Sequence, residues 1–346
     1  VDSETLNEAY GRLHHAGPEW GEDRLTNHGP MAVEVLVRRG RADRVHRWVD
    51  AYLRRLDDMP AAGDPITAGN WREAMGDGRR IADWTAFFQR QLAERPWRDA
   101  LAQWWPRLLP GIAAGATHGV IRVSHAVRAL LAGDQDAAAV TELAHGLAFW
   151  AARMQHVPGS TAPAGKLPAA EAFDAIPRVP SQAGRIADRF GQLESLPSWG
   201  QALASLRAPA GPDEAAKVLA DLVAAATAGY LSYGHGSPVL LVHTATAPNA
   251  VLHTLPALPR ELWTPSLAAV WSTSAAITAS YAPPQPADDL PAARSVEDTL
   301  AYAVDHGDEH VIKFADTAVD AFRHNGDPAS LAAAARVGLL IPQGES

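Results

Sequence analysis

The residues of this chain that could do chemistry are its histidines and one lysine. There are 14 His and no Cys. Any bound metal would therefore be held by nitrogen and oxygen donors, and thiol catalysis, disulfides, Cys-ligated zinc and iron–sulfur clusters are excluded. His28, His118, His145, His235 and His306 are each followed by Gly, which leaves room beside a helical imidazole for a ligand or a second element. His118 and His125 lie in T-H-G-V-I-R-V-S-H-A-V-R. That spacing is close to two helical turns, so both rings share a face about 10 Å apart along the axis. The separation is long for two ligands of one ion; it suits one ligand and one group that orients a ligand or touches substrate. Arg122, between them, could orient a carbonyl or phenolate oxygen, or serve as an ion-pair partner. His243 follows the apolar run 239–242, so it is expected to be buried with a partner for each ring nitrogen. His253 would lie about 15 Å further along even a continuous helix, which makes it a weaker candidate to converge with His243.

His306 and His310 form H-G-D-E-H, an i, i+4 pair that could chelate a metal. Gly307 stands where the zinc-protease H-E-x-x-H has its Glu. No His is followed by Asp, so the His-Asp dipeptide of helical metal phosphohydrolases is absent as well. Lys166, Lys217 and Lys313 are the only lysines, and Lys313 lies between Ile312 and Phe314, three residues after His310. Positions i and i+3 share a helix face. The bland alternative is a surface Lys whose stem covers apolar neighbours. A buried Lys would instead be partly neutral, and a neutral amine can take up carbon dioxide as a carbamate, an anionic oxygen ligand.

The elements that hold these residues read as helices. The chain has 346 residues, 47% of them hydrophobic, and a net charge of -9. This is ample for a core and unsuited to sequence-independent nucleic-acid binding. No run of 18 apolar residues lacks charges or breakers, and the N-terminal segment has no signal-peptide pattern; no membrane partner and a cytoplasmic location are expected. Apolar residues at i, i+3, i+4 predict helices over 28–39, with Asn27 as N-cap and Pro30 in the first turn, and over a second segment after Gly40 carrying Val45, Trp48, Val49 and Leu53. Further helices are predicted over 77–90, 97–109, 110–131 (ending at Gly133-Asp134), 136–155, 200–206, 212–231, 238–255 (interrupted at Pro248), 295–323 and 327–337. Pro/Gly-rich loops are expected at 157–168 and 283–291. Strand-length alternation is scarce, so the fold class is all-α, a single large multi-helix domain over 1–346 with long loops. A weak internal echo joins H-A-V-R-A-L at 125–130 to N-A-V-L-H-T-L at 249–255.

Five motifs together resemble the questin oxidase-like family: T-N-H-G-P-M at 26–31, G-A-T-H-G-V-I-R-V-S-H-A-V-R at 115–128, E-L-A-H-G-L-A-F-W-A-A-R at 142–153, H-T-A-T-A-P-N-A at 243–250 and D-E-H-V-I-K at 308–313. The resemblance implies an oxidoreductase, a non-haem metal-dependent oxygenase or dioxygenase. It would cleave a ring of an aromatic polyketide, an anthraquinone or hydroquinone. No flavin-binding G-x-G-x-x-G is found between a strand and a helix. The family implies Fe(II) with O2 as cofactors, NADPH as a candidate reductant, and a small aromatic molecule as the partner; oligomeric state is not legible. A related member holds iron with four His and a carboxylated Lys. Carried onto this chain, that set is His28, His118, His243, His310 and Lys313, with His125, His145 and Arg122 as groups that orient ligands or touch substrate. Trp84, Trp104, Trp105 and Trp150 are candidate walls of an aromatic pocket. Two other readings stand beside this one. A metal-dependent hydrolase would use the same His cluster to activate water. A non-catalytic helical binding protein would keep its metal content unchanged when His243 or Lys313 is replaced by Ala.

Overall fold

The computed structural model describes residues 2–133 and 136–343, and it is all-α. The described strands are the two-residue pair β1 (Glu19–Trp20) and β2 (Leu25–Thr26), antiparallel. Contacts group the chain into two compact units. One runs to His156 and includes Pro256–Leu258; the other holds Val157–Leu255 and continues from Pro259.

The first unit contains α1 (Ser3–Leu13), α2 (Gly29–Arg38), α3 (Val45–Leu53), α4 (Trp71–Ala74), α5 (Ile81–Glu94), α6 (Trp97–Leu108), α7 (His118–Leu131) and α8 (Ala137–Ala152). In α1 the buried residues are Leu6, Ala9, Tyr10 and Leu13, an i, i+3, i+4, i+7 stripe, and the Asp2 carboxylate caps its start by accepting from the Thr5 N–H at 3.2 Å. The same stripe stands in the sequence, but this helix is not among those predicted above. The helix expected over 110–131 begins only at His118, because Gly115, Ala116 and Thr117 take left-handed φ of 53°, 55° and 75°. Its far end is followed by Gly133; Asp134 lies outside the described residues.

Helices α7 and α8 approach closely where they carry glycine. A Cβ on Gly119 would lie 2.8 Å from the Trp150 Cα, and one on Gly146 would lie 3.0 Å from the Val123 backbone nitrogen. A Cβ on Gly29 would strike the Leu13 side chain at 2.6 Å. At these three positions, then, the glycine after a histidine serves helix packing and does not open space for a ligand. Trp84, Trp104, Trp105 and Trp150 are likewise core. Trp84 packs with Phe88 and Trp104 at centroid distances of 5.6 and 5.8 Å, Trp105 stands edge-on to Trp150 at 5.1 Å, and the Trp150 indole donates to the Gly111 carbonyl at 3.2 Å.

The second unit contains α9 (Ala169–Asp174), α10 (Ile186–Phe190), α11 (Trp199–Ser205), α12 (Pro212–Tyr233), α13 (Pro238–Leu241), α14 (His243–Thr254), α15 (Trp263–Tyr281), α16 (Val296–His306), α17 (Glu309–Asn325) and α18 (Ala329–Leu340). Helix α12 is central and packs against α14, α15, α17 and α18. By length and hydropathy Pro212–Gly236 could cross a membrane, but over half of its apolar window is buried inside the protein, as in a core helix.

The expected break at Pro248 does not occur. The chain breaks at Val242 instead, and α14 runs through Pro248. Proline lacks the N–H that would bond the carbonyl four residues back. That carbonyl, on Thr244, accepts the Ser274 hydroxyl of α15 at 3.1 Å, so a neighbouring helix satisfies the freed acceptor. Helix α15 carries no apolar stripe because nearly every face of it is buried, and the sequence reading missed it for that reason. Gly307, left-handed at φ 79°, ends α16 at His306, and α17 starts at Glu309. The i, i+4 chelate expected of His306 and His310 therefore has no continuous helix to sit on. His306 Nε2 is instead 3.2 Å from the Ile341 carbonyl.

Candidate metal centre

The four histidines of the expected ligand set all sit at helix starts. His28 is the N-cap of α2, His118 and His243 are the first residues of α7 and α14, and His310 is the second residue of α17. All four are buried.

In the first unit, the rings of His28 and His118 lie with centroids 4.4 Å apart and planes at 50°. The N-cap of α2 is His28, not Asn27; Asn27 instead braces the turn, accepting from the Gly29 N–H at 3.0 Å and donating to the Gly17 carbonyl at 2.9 Å. The His28 backbone N–H donates to the Tyr52 hydroxyl at 2.7 Å, which ties the start of α2 to α3. His118 leaves the left-handed run 115–117, and its Nδ1 bonds the Gly115 carbonyl. A carbonyl can only accept, so Nδ1 carries the proton and Nε2 keeps its lone pair, the arrangement a metal-ligating imidazole needs. Left-handed backbone at Ala116 and Thr117 is costly for residues with a Cβ, and such strain tends to collect at functional sites.

Two buried carboxylates organise the rest of this unit. Glu34 of α2 accepts from His125 Nδ1 at 2.7 Å and from both the Nε and the terminal nitrogen of Arg128. Burial alone would raise this carboxyl, but Arg128 and His125 outweigh it and hold the pKa at about 2. Glu142 of α8 accepts two hydrogen bonds from Arg122, at 2.6 and 2.9 Å, and lies 3.0 Å from His14 Nε2. Against the same opposing effect of burial, Arg122 and His14 hold Glu142 at about 2. His145 packs its ring on His14 at 4.7 Å, and burial, reinforced by the positive charge of Arg122, lowers its pKa to about 3. His125, His145 and Arg122 are thus parts of buried ion-pair clusters. The sequence reading did not single out Glu34, Glu142 or His14. Its missed signal was a lone carboxylate inside each apolar helical run, M-A-V-E-V-L-V and E-L-A-H-G-L-A.

In the second unit, His243 and His310 stand edge-on with ring centroids 6.2 Å apart. Asp308 caps α17, accepting from the backbone N–H groups of His310 at 2.8 Å and Val311 at 3.2 Å, and its carboxylate lies 3.4 Å from His310 Nδ1. Burial pushes the Asp308 carboxyl up, but the bonds from His310 and the backbone outweigh it and hold it below its ordinary value. Asp308, Glu309 and His310 each offer a donor atom, all within 4.8 Å of one another. Lys313, one turn on, is 3% exposed. Burial lowers its pKa to about 8, against the opposing charges of Glu309 and Asp308. The surface-Lys reading is thereby excluded. His253 Nε2 lies 2.8 Å from the Asp320 carboxylate of α17.

These residues fit a hard or borderline divalent ion: imidazoles plus oxygen donors, buried, without sulfur. No curated protein matches the chain. The questin oxidase-like family profile matches residues 42–318, a span that includes His118, His243, His310 and Lys313 and begins after His28. That match covers most of the chain and points to an oxygenase of aromatic polyketide metabolism, hence an oxidoreductase: the protein belongs to the questin oxidase-like family.

Proposed function

We propose that this protein is a non-haem iron oxygenase that opens a ring of an aromatic polyketide, an anthraquinone or the derived hydroquinone. The observation that carries the reading is the set of buried imidazoles at helix starts, with the His118 Nδ1 proton committed to Gly115. In this reading His28, His118, His243, His310 and Lys313 supply the metal donors. When bound, Fe(II) would supply the means of bringing O2 into reaction with an electron-rich ring. The resemblance, not the spacing, selects iron among the ions such donors accept.

Lys313 is proposed to act as a carbamate. Its buried ammonium, a cation that burial disfavours, would lose one proton to become the neutral amine; the amine nitrogen would then bond the carbon of CO2 and lose a second proton, giving an anionic oxygen donor. Glu34 and Glu142, held ionised by their arginine and histidine partners, fix the first unit's histidine and arginine side chains in place. NADPH distinguishes two forms of the activity. A dioxygenase places both oxygen atoms in the product and needs no added reductant, whereas a monooxygenase needs two electrons to send the second oxygen to water.

The test is oxygen uptake by iron-loaded protein with anthraquinols as substrates, with and without NADPH. Uptake coupled to loss of the aromatic chromophore is expected. Turnover of ester or amide substrates without oxygen uptake would favour a hydrolase instead.

A further inference from the structure

A cavity of about 290 Å3 lies wholly within the second unit, between α9, α12, α14 and α15. Its volume is near the lower end of the roughly 300–1,000 Å3 range of small-molecule sites, which suits a few fused rings. Its lining is mostly small residues, with the aromatic rings of Phe173, Tyr230 and Tyr233 among them. Phe173 is held edge-on by Trp271 at 5.1 Å, and Tyr230 rests on Phe314, the neighbour of Lys313, at 4.6 Å. Tyr233 and the small residues of α12 complete one side. Gly229 faces open space, since a Cβ there would meet nothing within 4 Å. Thr244, next to His243, lines the opposite side.

The polar groups of this cavity are mostly committed. The Tyr230 hydroxyl donates to the Pro238 carbonyl at 3.0 Å, and the Thr244 hydroxyl donates to the Leu241 carbonyl at 2.8 Å. Arg178 is the exception. One terminal nitrogen donates to the Ile176 carbonyl at 2.6 Å, but its Nε is enclosed and has no hydrogen-bond partner. Asp174, on the exposed rim, acts on Arg178 through its charge but makes no ion pair with it among the described residues. The half-buried guanidinium lines the cavity, and its second terminal nitrogen makes no hydrogen bond among the described residues, so it can give a ligand's oxyanion a charge-assisted bond.

We propose that this cavity is the binding site for the aromatic substrate, with the fused rings lying against Phe173, Tyr230 and Tyr233 and a ring-borne oxyanion, a phenolate or carboxylate, held by Arg178. The assignment of this ligand as the substrate rests on the oxygenase reading above; the binding chemistry of the cavity does not.

The experiment is calorimetric titration of the full chain, stripped of metal, with anthraquinone-2-carboxylate and with the neutral anthraquinone-2-carboxamide. Both probes are expected to bind the wild type. Arg178→Gln should weaken the carboxylate about ten- to a hundred-fold, as loss of a charge-assisted bond does, and leave the carboxamide nearly unchanged. Gly229→Leu replaces a mid-helix glycine with a better helix former and fills the cavity, so it should remove binding of both probes while the protein stays folded. Neither variant should change iron content. Wild-type affinity for both probes in both variants, or no binding by the wild type, would overturn the proposal. Probe binding that follows this pattern in a protein with no oxygen uptake would support the site and sink only the oxygenase reading. Full turnover by both variants would sink the site as the substrate's and leave the oxygenase reading standing.

Discussion

The rings of His28 and His118 stand 4.4 Å apart at the starts of α2 and α7, and further along the same two helices Glu34 binds His125 and Arg128. The two helices therefore run side by side in the same direction, joined at two levels. The upper level brings two candidate ligands together; the lower fixes the lateral spacing that makes the upper one hold.

Glu34→Gln tests that dependence. It leaves Arg128 buried without its carboxylate, and breaking a buried pair in this way costs about 3–5 kcal/mol. Urea denaturation should show the loss, and the surviving folded protein should bind metal more weakly. Wild-type stability with wild-type metal affinity would mean the clamp does not set the histidine spacing.

Gly115→Ala should act on His118 from its other side. A Cβ at a φ of 53° costs roughly 1–2 kcal/mol, and it would also lie 2.8 Å from the Phe149 ring. The carbonyl that fixes the His118 tautomer would move with the strained turn. The expected outcome is a lower thermal midpoint together with reduced metal affinity; a change in neither would show that the turn tolerates a side chain.

Acid should destabilise the first unit in a defined window. Glu34 and Glu142 are held at about 2 from an ordinary 4.5, and His145 at about 3 from 6.5. In each case the unfolded chain takes up the proton first as pH falls. Stability is therefore fully present at neutral pH, begins to fall below the ordinary His value, and falls most steeply between the ordinary carboxylate value and about 2. Urea midpoints measured from about pH 7 down to about pH 3 should decline along this course, and Glu142→Gln should flatten its acid limb. A midpoint independent of pH would contradict the buried ion pairs.

Gly119→Ala should separate α7 from α8. The added methyl would meet the Trp150 backbone at 2.8 Å, and backbone cannot yield as a flexible side chain can. Overpacking of this kind costs about 1–3 kcal/mol. A thermal melt unchanged from the wild type would show that the helices have slack at this crossing.

The all-α fold and most helices were legible because a half-buried helix writes its packing face into the sequence as a stripe, as in Val45, Trp48 and Val49, although Tyr52 rather than the expected Leu53 completes that buried face. Helix α15 was not, because burial on nearly all faces erases the stripe. The chain's course at Pro248 depended on a hydroxyl from Ser274, which no local pattern reports. Among the candidate ligands, motif resemblance pointed to His28, His118, His243, His310 and Lys313, and the pairings His28–His118 and His243–His310 emerged only with the fold. The roles of Glu34 and Glu142 were hidden because a carboxylate in an apolar run reads as an exposed residue until its arginine is found across the helix interface. The tryptophans misled in the opposite sense: large aromatic rings mark a core at least as often as a pocket.

The central claim is that the histidines and Lys313 hold a catalytic metal. Elemental analysis of protein purified without chelator tests it most directly, in the wild type and in His118→Ala, His243→Ala and Lys313→Met. Stoichiometric iron is expected in the wild type, with its loss in each of the three variants while the fold is retained. No stoichiometric transition metal in the wild type, or metal content unchanged in the variants, would contradict it.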